Sequence, residues 1–178
     1  MDKIAVNTED MAQAAGTLRA GDRVLLSGTV YTARDAAHKR IFGLLDKGGK
    51  PPFELSGATV YYAGPTPTPP GRPIGSCGPT TSARMDPYAP RLLDLGLKCM
   101  VGKGGRSEQV VEAIRRNRAV YLCAIGGAGA LAAKCVTSME IIAFDDLGCE
   151  SVKKLQVKGF PLIVAIDCRG GNLFEAAK

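Results

Sequence analysis

Beyond Leu97 the sequence switches character again and again: a short apolar run, a break containing glycine, a helix-forming stretch, then another apolar run. Cys99-Met100-Val101-Gly102 gives way to Lys103-Gly104-Gly105-Arg106. Ser107 then caps a stretch whose Val110, Val111 and Ile114 share one helical face. Within it, Glu112 and Arg116 stand at the i,i+4 spacing of an ion pair. Ala119 to Ile125 is a further strand, broken at Gly126-Gly127-Ala128-Gly129 before the helical Ala130 to Lys134. Glu140 to Phe144 predicts a strand, and Asp145-Asp146-Leu147-Gly148 leads into a helix reaching Leu155. Leu162 to Ile166 and Asn172 to Phe174 read as a hairpin across Arg169-Gly170-Gly171. Alternation of this kind restricts the chain to a layered α/β fold, and 178 residues suffice for one such domain.

The first half supplies further elements. Asn7 and Thr8 are candidate caps for a helix over Glu9 to Leu18, and residues 1–20 as a whole read as a possible N-terminal arm. Arg23 to Tyr31 is β-prone, and Arg34 to Leu45 is helical and stopped at Gly48-Gly49. Ala58 to Ala63 is a strand. Gly64 to Pro73, with five prolines and two glycines, is loop. Neither side of it is large enough for a comfortable domain, so it reads as a structured excursion within one.

Composition narrows the function classes. No apolar run approaches the roughly 20 residues of a membrane-spanning helix. Residues 1–10 lack the apolar core of a secretory signal, so a cytoplasmic setting is expected. The net charge of +6 suits nucleic acid or a small acidic substrate. Five Tyr, five Phe and no Trp, with scattered basic residues, argue against an RNA-stacking surface. The six cysteines, at 77, 99, 123, 135, 149 and 168, form no CxxC pair, and the expectation is reduced, mostly buried thiols and no metal held by this chain.

Three segments share one physical form: a glycine break, hydroxyl or amide donors, and a nearby cation. They are Gly78 to Arg84, Gly102 to Ser107 and Gly126 to Gly129. Free N–H groups at a helix start, with the dipole behind them, make an anion site. Thr80 and Arg84 lie one turn apart in such a helix, and Arg34 and Lys103 add cations from other loops. Arginine forks take carboxylates in two-pronged fashion, so a small dicarboxylate suits the set. Ordinary helix capping by Thr80, Thr81 and Ser82 is the simpler alternative. Lys103-Gly104-Gly105-Arg106 lacks P-loop spacing, and Gly126-Gly127-Ala128-Gly129 lacks the dinucleotide order. His38 is a candidate proton carrier, or simply a surface or capping histidine.

Thr32-Ala33-Arg34-Asp35-Ala36-Ala37-His38-Lys39-Arg40, Tyr62-Ala63-Gly64-Pro65, Gly78-Pro79-Thr80-Thr81-Ser82-Ala83-Arg84-Met85-Asp86 and Gly102-Lys103-Gly104, in this order, resemble the β subunit of class I fumarate hydratase. The same unit forms the C-terminal domain of single-chain class I fumarases, and the L-tartrate dehydratase β subunit is a close relative. The resemblance runs from Gly21 to Asn172. It implies a swivelling β/β/α domain and a partner α subunit carrying a [4Fe-4S] cluster whose ligands are not in this chain. It implies an (αβ)2 hetero-oligomer, inactive without α, that adds water reversibly to fumarate to give (S)-malate. By residue-wise match, Arg34, Arg84 and Lys103, with Gly78 and Thr81, would hold carboxylates. Thr80 and His38 would be the candidates for proton transfer. Cys77 departs from the small residue usual at its position.

The chemistry asked of these residues is demanding. The proton removed from malate is weakly acidic, and its loss adds negative charge to the neighbouring carboxylate. Fixed cations aimed there lower the barrier, and an iron site on the partner would act on the hydroxyl. Fumarate is preferred to tartrate because the Gly64 to Ser76 loop looks more like the fumarase branch. A non-catalytic anion-binding module of the same fold is the reading from a different class.

Overall fold

The computed structural model describes residues 2–125 and 127–175. Among these the strands are β1 (Lys3–Asn7), β2 (Arg23–Thr32), β3 (Thr59–Tyr61), β4 (Cys99–Gly102), β5 (Val120–Cys123), β6 (Val136–Ala143) and β7 (Val152–Ile166). The helices are α1 (Met11–Ala14), α2 (Asp35–Asp46), α3 (Ala89–Asp94), α4 (Glu108–Arg116) and α5 (Gly129–Lys134). The sheet runs β1-β2-β3-β4-β5-β7-β6, and a further β2–β7 pairing closes β2, β3, β4, β5 and β7 into a ring. β1 to β5 are mutually parallel along this order, whereas β7 is antiparallel to β2, β5 and β6. The result is one mixed α/β domain with a barrel-like closed sheet.

Period-two side-chain alternation sorts the core into two bodies. Tyr61, Cys99, Val101, Val120 and Leu122 join one cluster with Val24, Leu26, Leu155 and Val164. The intervening Val60, Tyr62, Met100 and Tyr121 join the other, where α2 contributes Ala37 and Ile41, α3 Leu92 and Leu93, and α4 Val110 and Ile114. α2, α3 and α4 therefore cover one face of the strands, and they bring their loops to the strand ends.

Several expectations are corrected. Within the stretch read as a possible arm, residues 3–7 pair in register with Arg23–Ser27 as the edge strand β1. The helix expected over Glu9 to Leu18 shrinks to a 3₁₀ turn (Thr8–Asp10) and α1, with Asn7 accepting the Glu9 amide at 3.1 Å. Thr8 instead turns its hydroxyl to the Thr29 amide, 2.8 Å away. The helix expected to reach Leu155 is a 3₁₀ segment, Asp145–Glu150, followed by the 15-residue β7. Its pairing with three strands outweighs the local helical preference. The hairpin near the C-terminus is the end of β7 with a single bridge, Ile166 to Asn172. Ser107 caps α4 as expected, accepting from the Val110 amide at 3.4 Å. Arg116, however, pairs with Asp94 of α3 through two 2.8 Å contacts, and Glu112 meets Arg115 instead. The proline-rich loop is closed by the Thr66 amide to the Ser76 carbonyl (3.0 Å) and the Ser76 amide to the Thr66 hydroxyl (2.9 Å).

Candidate functional site

Parallel β2, β3 and β4 end side by side, and their C-terminal ends place three loops together, the usual location of ligands in such sheets. After β2 comes Ala33-Arg34, where α2 begins with Arg34 as its N-cap. After β3 comes Tyr62-Ala63-Gly64, and after β4 comes Lys103. Pro79 to Ser82 crosses these ends as an extended strip. Pro79 bridges Ala63, and Thr81 bridges Lys103. The Thr80 amide donates to the Tyr62 carbonyl at 2.7 Å, and the Ser82 amide to the Lys103 carbonyl at 3.0 Å. Gly102 must be glycine here, because a Cβ would stand 1.9 Å from Ser82 Oγ.

This strip sets Thr81 beside Lys103 and Thr80 on the Tyr62 carbonyl after β3, and Arg84 follows in the next turn. Arg84 Nε donates to Asp35 Oδ1 at 2.9 Å, and Arg34 Nε lies 4.0 Å from Asp35 Oδ2 and 3.7 Å from Glu150 Oε1. One carboxylate thus joins the two arginines. Gly64 lies against Arg34, where a Cβ would come within 3.1 Å of the arginine side chain. Arg84 and Thr81 are exposed, while Arg34, Thr80 and Lys103 are half-buried, so the cluster faces outward. Gly78 lies against Gly129 at the start of α5, where a Cβ on Gly78 would stand 3.4 Å from the Gly129 Cα, so the third glycine segment comes to the same region. Gly126 of that segment lies outside the described residues.

The helix-dipole part of the sequence argument does not hold. Ser82–Met85 is a four-residue 3₁₀ turn, and the Thr81 side chain caps nothing. So short a turn has little aligned dipole, and the positive character of the site comes from side chains.

His38 takes a different place from the one its charge suggests. It is fully buried on α2, stacked on Tyr88 with ring centroids 5.4 Å apart and edge-on to Tyr62 at 5.7 Å. Its Nδ1 lies 2.8 Å from the Arg34 carbonyl, which only accepts, so Nδ1 carries the proton. Burial pushes its pKa down to about 4, and the nearby Arg106 acts in the same direction. His38 is therefore a neutral core residue bonded to the Arg34 backbone.

Sequence reading missed a buried group beneath the strip. Arg106, with no side-chain exposure, donates from Nε to Asp86 Oδ1 at 2.7 Å and lies over the rings of Tyr62 and Tyr121. Asp86 also accepts the Ser107 amide at 2.7 Å, and Tyr121 Oη reaches both Ser82 Oγ and Gly104 O at 2.8 Å. Nothing in one sequence marks a buried arginine as different from a surface one; the only signal was that Asp86 ends the Gly78-to-Asp86 motif and Arg106 stands in the Gly102-to-Ser107 segment. Lys153 is also buried, and it donates to the carbonyls of Gly148, Cys149 and Ser151, holding the loop that presents Glu150 to Arg34.

All six cysteines are free thiols. Burial pushes Cys77 and Cys99 up to about 12, which keeps both protonated. Among the described residues no three His, Cys, Asp or Glu side chains group in a way that could hold a metal ion. Dispersed thiols held protonated do not fit an iron–sulfur cluster.

Fold and cluster together define a class: a closed mixed-sheet α/β domain whose parallel strand ends carry arginines, a lysine and threonine hydroxyls. Residues 1–177 match the model of the Fumarase C-terminus family, and the chain belongs to that family. It is 39% identical over 155 residues to the anaerobic class I fumarate hydratase of Escherichia coli K12, covering 86% of this chain and 28% of that protein. It is 40% identical over 159 residues to the mitochondrial fumarate hydratase 1 of Leishmania major, with 86% and 28% covered. A putative L(+)-tartrate dehydratase subunit beta of Methanocaldococcus jannaschii is 40% identical over 168 residues, with 89% of this chain and 84% of that protein covered. The chain thus spans little more than a quarter of the fumarate hydratases it matches, at 28% of their length.

Proposed function

We propose that this chain is the β-type subunit of a class I iron–sulfur hydro-lyase and that, with a cluster-bearing α subunit, it reversibly hydrates fumarate to (S)-malate. The observation that carries the reading is the gathering of Arg34, Arg84, Lys103 and Thr80 at three adjacent strand ends in a member of this family. Arg34 and Arg84 hold the substrate carboxylates, and Lys103 stands beside Thr81 to take the charge that grows when the C3 proton leaves. Gly78 keeps the backbone close, and Thr81 offers its hydroxyl. Thr80 carries the proton. Its hydroxyl has no hydrogen-bond partner among the described residues, and the nearby cations favour its alkoxide. His38, out of contact with the surface, positions Arg34 through its backbone bond. The partner's [4Fe-4S] cluster supplies the Lewis acid for the hydroxyl. In this reading the closed sheet is the swivelling β/β/α domain of the family, closing its cationic face onto the partner. The (αβ)2 assembly and cytoplasmic setting belong to the same proposal.

The tartrate reading has one specific support: the relative covered over 84% of its length is described as a tartrate dehydratase β subunit. That coverage also favours a two-chain arrangement. Anaerobic co-expression with the cluster-bearing partner, followed by assays on fumarate, malate and tartrate, separates the cases. Malate–fumarate interconversion is the expected result. Activity on tartrate alone would move the assignment to the second substrate, and inactivity on all three would leave an anion-binding module.

A further inference from the structure

Thr80 and Arg84 lie on one segment and Lys103 on another, some twenty residues away in sequence. Beside the backbone bridge between Thr81 and Lys103, two sets of side-chain contacts tie these segments together. At the near ends, Ser82 Oγ accepts the Lys103 amide at 3.0 Å and lies 2.8 Å from Tyr121 Oη, which is also 2.8 Å from Gly104 O. A carbonyl can only accept, so the tyrosine proton goes to Gly104 and the serine proton to Tyr121. The hydroxyls therefore form a relay from the Lys103 amide to the Gly104 carbonyl. At the far ends, Asp86 receives both Arg106 Nε and the Ser107 amide, each at 2.7 Å. Two points of attachment on each segment set its orientation as well as its distance. Ser82, Arg106 and Tyr121 are fully buried, so none of the three touches a substrate.

A buried ion pair is weak support for stability, because apolar residues of the same shape do as well. What a directional ion pair and a hydroxyl relay supply, and an apolar filling does not, is a fixed register between two loops. We propose that Ser82, Asp86, Arg106 and Tyr121 form a latch of positioning residues that sets Lys103 against Thr80 and Arg84. The inference rests on the functional reading above for what is positioned, and on the contacts alone for the latch.

Tyr121→Phe is the sharpest test, since it removes one oxygen from a packed ring; Ser82→Ala is its companion. Ile114→Val, in the same core cluster as Tyr121 but with a side chain that makes no hydrogen bond in the latch, serves as a control for lost stability. In the full chain, amide hydrogen exchange in Tyr121→Phe should rise about tenfold at residues 103–107 and 78–86 and stay unchanged elsewhere. In the complex with the partner, kcat should fall at least about tenfold, because misplacement by an ångström is costly. The double variant should lose no more than the worse single variant, as expected for one coupled unit. Ile114→Val should keep its kcat. Unchanged exchange overturns the latch. Loosened exchange with unchanged kcat, or losses that multiply in the double variant, overturns its positioning role. A wild-type complex inert on all three acids defeats the hydro-lyase reading instead, while the exchange result still decides whether the latch sets the two segments.

Discussion

Histidine 38 is a good proton carrier by type and a poor one by position. Its ring is fully buried among Tyr62, Tyr88 and the Arg34 backbone, with Asp35 and Arg106 near, and its pKa is pushed down to about 4. In the unfolded chain it titrates near 6.5. As pH falls from about 6.5 towards 4, the unfolded state binds a proton the folded state refuses, and stability is lost by about 3 kcal/mol over that window. The stability gap between wild type and His38→Asn should therefore narrow by that amount between pH 7.5 and pH 4, measured by urea unfolding. A gap independent of pH would mean the ring is not held neutral. For the reaction, Thr80→Val should abolish exchange of the malate C3 proton with solvent, whereas His38→Asn should leave some; the opposite pattern would make His38 the base. Arg84→Ala should lower kcat/KM for malate on the order of a hundredfold, the size of loss when a donor to developing charge is removed.

At the scale of elements, the parts legible in the sequence were those whose signal is local. Ser107 as a cap, the glycines ending α2 and the strand–helix alternation from Cys99 to Ala143 survive. What was lost depended on partners distant in sequence. β7 carries Lys153, Lys154 and Lys158, a pattern that conceals a strand, but it is paired along its length by β2 and β6. Arg116 leaves Glu112 for Asp94 because two aligned contacts outcompete a weak neighbour on the same helix. The candidate site follows the same rule. Arg34, Thr80, Arg84 and Lys103 stand in readable motifs, while Tyr121, Glu150 and Lys153 come from elements that reach the site only through the closed sheet. Gly102→Ala tests how tightly that sheet end is built. The new methyl would lie 1.9 Å from Ser82 Oγ and 2.9 Å from Tyr62 Cδ2. Overpacking of this kind costs about 1–3 kcal/mol, so the midpoint of thermal unfolding should fall. A wild-type midpoint would show that the strip over β4 yields freely.

For the whole molecule, the closed sheet separates two kinds of surface chemistry. Cations and hydroxyls gather at the ends of β2, β3 and β4, whereas the thiols are dispersed. Cys77 and Cys99 lie in the core with pKa values pushed up to about 12, and burial raises Cys123 and Cys135 as well. A cluster ligand must be a thiolate, and several must converge on one point. Among the described residues no such convergence occurs, and under the proposed function the cluster belongs to the partner. Purified anaerobically and supplied with iron and sulfide, the full chain alone should remain colourless and should not turn over fumarate or malate. Mixing it with the cluster-bearing partner should bring both the visible absorbance and the activity into one complex. The absorbance should belong to the partner, so Arg84→Ala should leave it intact while lowering turnover. Stoichiometric iron and sulfide bound to this chain alone, with a visible band, would overturn that assignment.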